Sequence, residues 1–227
     1  MQAGSQAASV DGNVRFEATG DSDILLGLID AGAGNVSLLA ERDILDNNGG
    51  GVLNVQAAAL RMEADSNGDS AGQIGQSDNG SPAETNTRAI DTQVTTLAAV
   101  SADGIYILES DGLAVDFTGD ISIEQVNFNS TVTTVTDTTL SDLETTEAGP
   151  LKVVTTAGTL TVNTAVTAGT SGNVLLAARA GDGDVSPRFQ QAESGIPQFE
   201  VFVLVFDENQ KSQTRERLIV GHGSAPF

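Results

Sequence analysis

The 227 residues carry 31 acidic against 10 basic side chains, a formal net charge of −21, so the surface repels nucleic-acid phosphates and anionic lipid head groups. There is no cysteine, which excludes disulfides, thiolate metal sites and cysteine nucleophiles. With 25 Gly, no Trp and apolar residues that are mostly Val, Leu, Ile and Ala, the composition suits a tightly stacked β interior better than a core built around large rings.

The amino-terminal Met1-Gln2-Ala3-Gly4-Ser5 has no basic stretch leading into an apolar run, so no signal peptide is expected. A short phrase then returns along the chain: Gly, a polar residue, then alternating apolar positions. It reads Gly12-Asn13-Val14-Arg15-Phe16-Glu17-Ala18, Gly34-Asn35-Val36-Ser37-Leu38-Leu39-Ala40 and Gly172-Asn173-Val174-Leu175-Leu176-Ala177-Ala178, with looser copies from Gly104, Gly119 and Gly158. Apolar side chains at i, i+2 and i+4 are the period of a strand with one buried face, here entered through a glycine turn. A second short element follows several copies, at Asp23-Ile24-Leu25-Leu26, Asp43-Ile44-Leu45, Gly112-Leu113-Ala114-Val115 and Asp184-Val185. Copies lie 22 residues apart at Val14 and Val36 but 16 apart at Ile105 and Ile121, so the corners vary while the strands keep their form. This predicts a solenoid of short stacked strands with corner insertions.

Helical signals are nearly absent. Leu53 to Ala64 has good helix formers, yet Val52, Asn54 and Val55 continue a strand pattern after Gly49-Gly50-Gly51, and the segment reads as another coil. Asp65 to Thr87, rich in Asp, Ser, Asn and Gly, reads as a long corner insertion. Thr131 to Glu147 reads as an edge strand or a loop. Beyond Ser186 the phrase stops. The longest apolar run, Phe199 to Phe206, is far short of the ~20 residues of a membrane helix; Gln198 to Phe206, a basic turn around Lys211 to Arg217 and Leu218-Ile219-Val220 read as a hairpin that caps the stack.

The blocks Gln73-Ile74-Gly75, Ser77-Asp78-Asn79, Ile90-Asp91-Thr92, Thr96-Leu97-Ala98-Ala99 and Gly104 to Leu113, together with the Gly-Asn-Val phrases, resemble the repeats of filamentous-haemagglutinin-like proteins. These are large repetitive bacterial adhesins and two-partner-secretion exoproteins. The resemblance runs from about Val10 to Val185, and it implies a right-handed β-helical shaft, a secreted or cell-surface location, and a role in adhesion or display. It carries no catalytic residue. The family's amino-terminal secretion domain is not evident, and the chain after Ser186 has no counterpart in it.

The search for chemistry is short. Asp65-Ser66-Asn67-Gly68-Asp69 sets oxygen ligands at alternate positions, but a calcium loop of the EF-hand type needs Gly at its sixth position and Glu at its twelfth, where this chain has Ser70 and Gln76. Gly181-Asp182-Gly183-Asp184 matches one unit of a calcium-binding nonapeptide roll and occurs once. His222 is the only histidine and lies near the carboxyl end, which leaves a catalytic triad without a base. Asn35, Asn79 and Asn129 head Asn-X-Ser/Thr triplets short enough to arise by chance. Thr131, Thr133, Thr134, Thr136 and Thr159, Thr161, Thr164, Thr167 raise an ice-binding-like flat face as an alternative, and the scattered carboxylates raise a polysaccharide-cleaving β-helix enzyme as another, although Tyr106 stands alone beside eight Phe as a sugar platform.

The reading is therefore all-β: a right-handed parallel β-helix (solenoid) with irregular coils and corner insertions over residues 1–185, and a carboxyl-terminal hairpin or capping region over 186–227. Val14, Phe16, Val36, Leu38, Ala40, Ile105, Ile107, Ile121, Ile123, Leu160, Val162, Val174 and Leu176 are expected inside, with Ile105 stacked on Ile121. The expected role is a structural or adhesive, non-catalytic segment of a bacterial surface or secreted protein. No catalytic, cofactor or metal residue is assigned. The expected partners are host or surface glycans or proteins, contacted chiefly at Asp65 to Thr87, and other copies end to end, without nucleic acid or a membrane span.

Overall fold

The computed structural model describes residues 1–78, 87–169, 171–179, 185–187, 201–206 and 213–218. Among them every regular element is a strand. The first circuit of chain lays down β1 (Gln6–Ala8), β2 (Val14–Ala18) and β3 (Ile24–Leu26), and the second lays down β4 (Leu28–Asp30), β5 (Val36–Ala40) and β6 (Ile44–Asp46). Each strand of the second circuit pairs in parallel with its counterpart in the first: Gln6 with Leu28, Val14 with Val36, Ile24 with Ile44.

Parallel pairing then continues through β7 (Val55–Ala64), β8 (Gln73–Ile74), β9 (Ile90–Ser101) and β10 (Gly104–Glu109). β7 and β9 each run through a corner, so one strand serves two ladders: β7 meets β4 near Val55 and β5 from Leu60 onward. Next come β11 (Leu113–Val115), an antiparallel pair β12 (Ile121–Val126) and β13 (Val132–Asp137), then β14 (Leu143–Thr145), β15 (Leu151–Thr155), β16 (Leu160–Val162), β17 (Val166–Thr167), β18 (Val174–Ala178) and β19 (Val185–Pro187). β20 (Val201–Phe206) pairs in parallel with β18 and antiparallel with β21 (Gln213–Leu218), so the expected carboxyl-terminal hairpin forms, but its second strand takes in residues that read as the turn, Gln213 to Arg217, and ends at Leu218. All strands but β12 and β13 join one large, curled sheet of 19 strands.

Register aligns like side chains into columns. Ile24, Ile44, Ile74, Ile105, Leu151 and Val174 follow one another across successive strands, all buried. Val36, Leu60, Leu97, Val115 and Val162 form a second column, and Leu38, Met62, Ala99 and Leu143 a third. Branched and unbranched aliphatic chains of similar volume stack this way without voids, which is why the core needs no large rings. Leu53 to Ala64 joins it as strand: β7 is held between β5 and β9, and ladder pairing on both sides overrides the helix propensity of its alanines.

The recurring Gly-Asn pair has a geometric cause. The Asn13 side-chain oxygen accepts from the Asn35 N–H at 2.9 Å, and the Asn35 oxygen accepts from the Ala59 N–H at 3.1 Å. Each asparagine thus satisfies a corner donor one strand further on. A Cβ on Gly34 would lie 2.4 Å from the Gly12 carbonyl oxygen, so the preceding position admits only glycine.

Four sequence expectations are corrected. Gly172-Asn173 is not equivalent to Gly12-Asn13, because it leads into β18 on the ladder of Ile105 and Leu151. Gly112 to Val115 is not a counterpart of Ile24 and Ile44, since β11 pairs with β9 and β16. Asp65 to Thr87 is interrupted by β8, which carries the Ile74 step of the first column. Ile105 stacks on Ile74 and Leu151, whereas Ile121 and Ile123 belong to the antiparallel pair outside the columns. A single Gly-x-Ile phrase cannot distinguish these ladders, because every corner needs a tight turn and every strand needs one apolar face.

Candidate functional site

Strand alternation sends Arg15, Ser37, Arg61 and Ala98 to the outer face of β2, β5, β7 and β9, where they align in one row. Outward residues should be wet, yet Ser37 and Ala98 are fully buried and Arg61 is 7% exposed. The cause is the insertion of residues 116–142. It leaves the sheet after Val115, opposite Leu97, and rejoins at Leu143, opposite Ala99. Between those points the chain makes the β12–β13 hairpin.

The base of the hairpin docks on this row. Arg15 donates from Nε to Asp137 Oδ2 at 2.8 Å and from Nη1 to Glu17 at 2.9 Å. Arg61 Nε donates to the Thr138 carbonyl at 3.0 Å, and Asn13 Nδ2 donates to the Ser122 carbonyl at 2.9 Å. Ile121 is wholly buried at this end. The hydrogen bond to Glu17 first, and then Asp137, holds the Arg15 guanidinium more firmly protonated than usual, and Arg15 in turn pulls the Glu17 carboxyl down.

The far end is different. From Gln125 to Thr136 no residue is charged, in a molecule of net charge −21. Val126 is 71% exposed, Val132 is 55% exposed, and the Phe128 ring is completely exposed. Gln125, Val126, Asn127, Phe128 and Asn129 line a shallow open recess. Two side chains in it are pre-set: Asn127 Nδ2 donates to the hydroxyls of Thr131 and Thr133 at 3.0 and 2.8 Å, and Asn129 Oδ1 accepts from the Thr131 hydroxyl at 2.7 Å. Ser130 makes the turn with φ +63°.

The other candidates turn inward. At Asp65–Asp69, Asp65 Oδ1 accepts from the Asp69 N–H at 2.8 Å and Asn67 donates to Asp69 at 3.2 Å, so the loop satisfies itself. Among the described residues no group of three or more His, Asp or Glu side chains is placed to hold a metal ion, and no helix is long and apolar enough to cross a membrane. Thr161 lies between Ala114 and Ser186 in register, so threonine does not repeat across strands there. Gly181–Asp184, Asn79 and His222 lie outside the described residues.

Glu109 is the most unusual titratable group. It sits between Thr92 and Thr155 in an interior column and is fully buried. Its oxygens accept from the Thr92 hydroxyl at 2.7 Å, the Val94 N–H at 3.1 Å, the Ser110 N–H at 2.9 Å and the Asp111 N–H at 3.2 Å. Burial nevertheless wins and pushes the carboxyl up to about 7. A proton-transfer group would be expected near that value, but this one is sealed among backbone donors with no path to a substrate.

Sequence reasoning named Thr131 to Glu147 as an edge or loop and missed the hairpin's base, since the partners of Asp137 and Thr138 lie 122 and 77 residues away in sequence. The available signal was the uncharged run Gln125 to Thr136 inside so acidic a chain. Comparison with models of known families, with curated proteins and with solved structures finds no match in any of the three.

Proposed function

We propose that this chain is a right-handed parallel β-helix serving as a non-catalytic shaft of a bacterial surface or secreted protein of filamentous-haemagglutinin type. In this reading it holds its insertions, above all the β12–β13 hairpin, at a set position for contact with an outside surface. The observation that carries the proposal is the column Ile24, Ile44, Ile74, Ile105, Leu151, Val174, which runs through six parallel strands whose connections differ widely in length. Strands that keep register while connections vary are the mark of a scaffold that stores its variation on the outside. A stack of this kind is stiff because each strand satisfies its backbone on both neighbours and buries its aliphatic face against them.

Glu109 is sealed and cannot reach a sugar, so a polysaccharide-cleaving reading would have to draw on other carboxylates. Two measurements test the proposal. Crystallography of the purified chain should show right-handed coils, and a left-handed or sandwich arrangement would overturn the fold part. The purified chain should be retained on host-cell or matrix surfaces and leave polysaccharides intact. Polysaccharide cleavage without retention would overturn the functional part.

A further inference from the structure

We propose that the open edge of β2 pairs with β2 of a second copy of this chain, antiparallel and about a two-fold axis at Phe16. The inference goes beyond the shaft reading and needs only the observed ladders. Among the described residues β2 pairs with β5 and with no strand on its other side. Its inward side chains register that gap. Val14, Phe16 and Ala18 pack on the core but are only half-buried, whereas Val36, Leu38 and Ala40, their partners in β5, are completely buried. At the neighbouring β3 the Met1 ammonium donates to the Leu25 carbonyl, so that edge is partly met from within the chain.

The backbone of β2 has the phase such pairing needs. In a parallel ladder alternate residues of a strand turn both N–H and C=O to the same neighbour. The Val14 N–H donates to the Asn35 carbonyl at 2.9 Å, and the Ala18 carbonyl accepts from the Glu41 N–H at 3.1 Å, so Val14, Phe16 and Ala18 are committed to β5. Arg15 and Glu17 therefore turn their backbone groups to the open side, as an unpaired template for a further strand. Antiparallel pairing centred on Phe16 sets Arg15 opposite the second copy's Glu17, and these residues exchange both backbone bonds on each side of the axis. Phe16 then meets its own copy as the close, non-hydrogen-bonded pair, and Val14 meets Ala18.

Charge selects a second copy as the occupant. Val14-Arg15-Phe16-Glu17-Ala18 is basic on one side of Phe16 and acidic on the other, so the two-fold axis brings opposite charges together. A parallel pairing in register would set Arg15 on Arg15 and Glu17 on Glu17, which is unfavourable. The β12–β13 hairpins leave room for this contact. Asn13 holds β12 and Arg15 holds β13, both on the amino-terminal side of Phe16, and the axis carries the second copy's hairpin to the other side. The net charge of −21 on each copy opposes association, but at about 0.15 M salt that repulsion is screened within ~8 Å.

The test is sedimentation of the unaltered chain and Glu17→Lys over a concentration series at about 0.15 M salt, with circular dichroism to check the fold. Glu17 is half-exposed and Arg15 keeps Asp137, so the substitution leaves the stack standing. The chain has no cysteine, so Phe16→Cys and Val10→Cys each supply one thiol per copy for an oxidation assay. The expected result is a monomer–dimer equilibrium, at least tenfold weaker in Glu17→Lys, and a covalent dimer from Phe16→Cys but not from Val10→Cys, which lies far from the axis. An unaltered chain that stays monomeric at roughly 1 mM, or a dimer indifferent to Glu17→Lys, would overturn the proposal. Equal crosslinking of the two cysteine variants would do the same. So would growth beyond the dimer, because pairing about a two-fold axis closes at two copies.

Discussion

Glu109 shows how one side chain couples the stack to pH. An acid whose native pKa is raised binds its proton more tightly when folded, so its contribution is fully present below the unfolded value near 4.5 and is lost as pH rises through about 7. Asp91, pushed by burial up to about 6 against the opposing Gly51 N–H, acts in the same direction. Urea midpoints should therefore fall between pH 4.5 and 7.5, and Glu109→Gln should flatten most of that slope. An unchanged slope in the variant would place the dependence elsewhere. Glycine supplies a second test. A Cβ on Gly149 would lie 0.6 Å from the Asp103 carbonyl oxygen, so the backbone itself must move to admit it. Gly149→Ala should cost about 3 kcal/mol or more, read as a lowered thermal midpoint.

Strands β2, β3, β5, β6, β10, β11, β16 and β18 were legible from alternation, because one buried face imposes a period of two on a strand, whereas β8 was hidden in what reads as a corner insertion. The β12–β13 hairpin was not, since its one local signal, the uncharged run Gln125 to Thr136, does not say that Ile121 leaves the columns. What places it is the pairing of Asp137 with Arg15, two side chains 7% and 12% exposed. Asp137→Asn should loosen the base by about 1–3 kcal/mol, with Glu17 keeping part of the Arg15 charge compensated. Amide exchange should then rise at the hairpin base and around Ser37, while the column strands on the far side of the sheet stay protected. Equal loosening everywhere would mean that the hairpin is integral to the stack rather than laid over it.

The columns make stability a property of neighbours. Leu60 lies between Val36 and Leu97 and is completely buried, so Leu60→Ala should cost roughly 2–5 kcal/mol, and hydrogen exchange should rise most in β5, β7 and β9. Uniform acceleration across the chain would instead indicate a single cooperative unit. By itself the sequence determined that the chain is all-β, that its strands are short and one-sided, and that glycine and asparagine mark corners, because these follow from local sterics and from a period of two. Only the tertiary structure decided which corner belongs to which ladder, that Glu109 points inward, and that residues 116–142 fold back over Arg15 and Arg61. Those choices depend on partners tens of residues away, and every strand here is similar enough to accept several of them; register across the whole stack selects one.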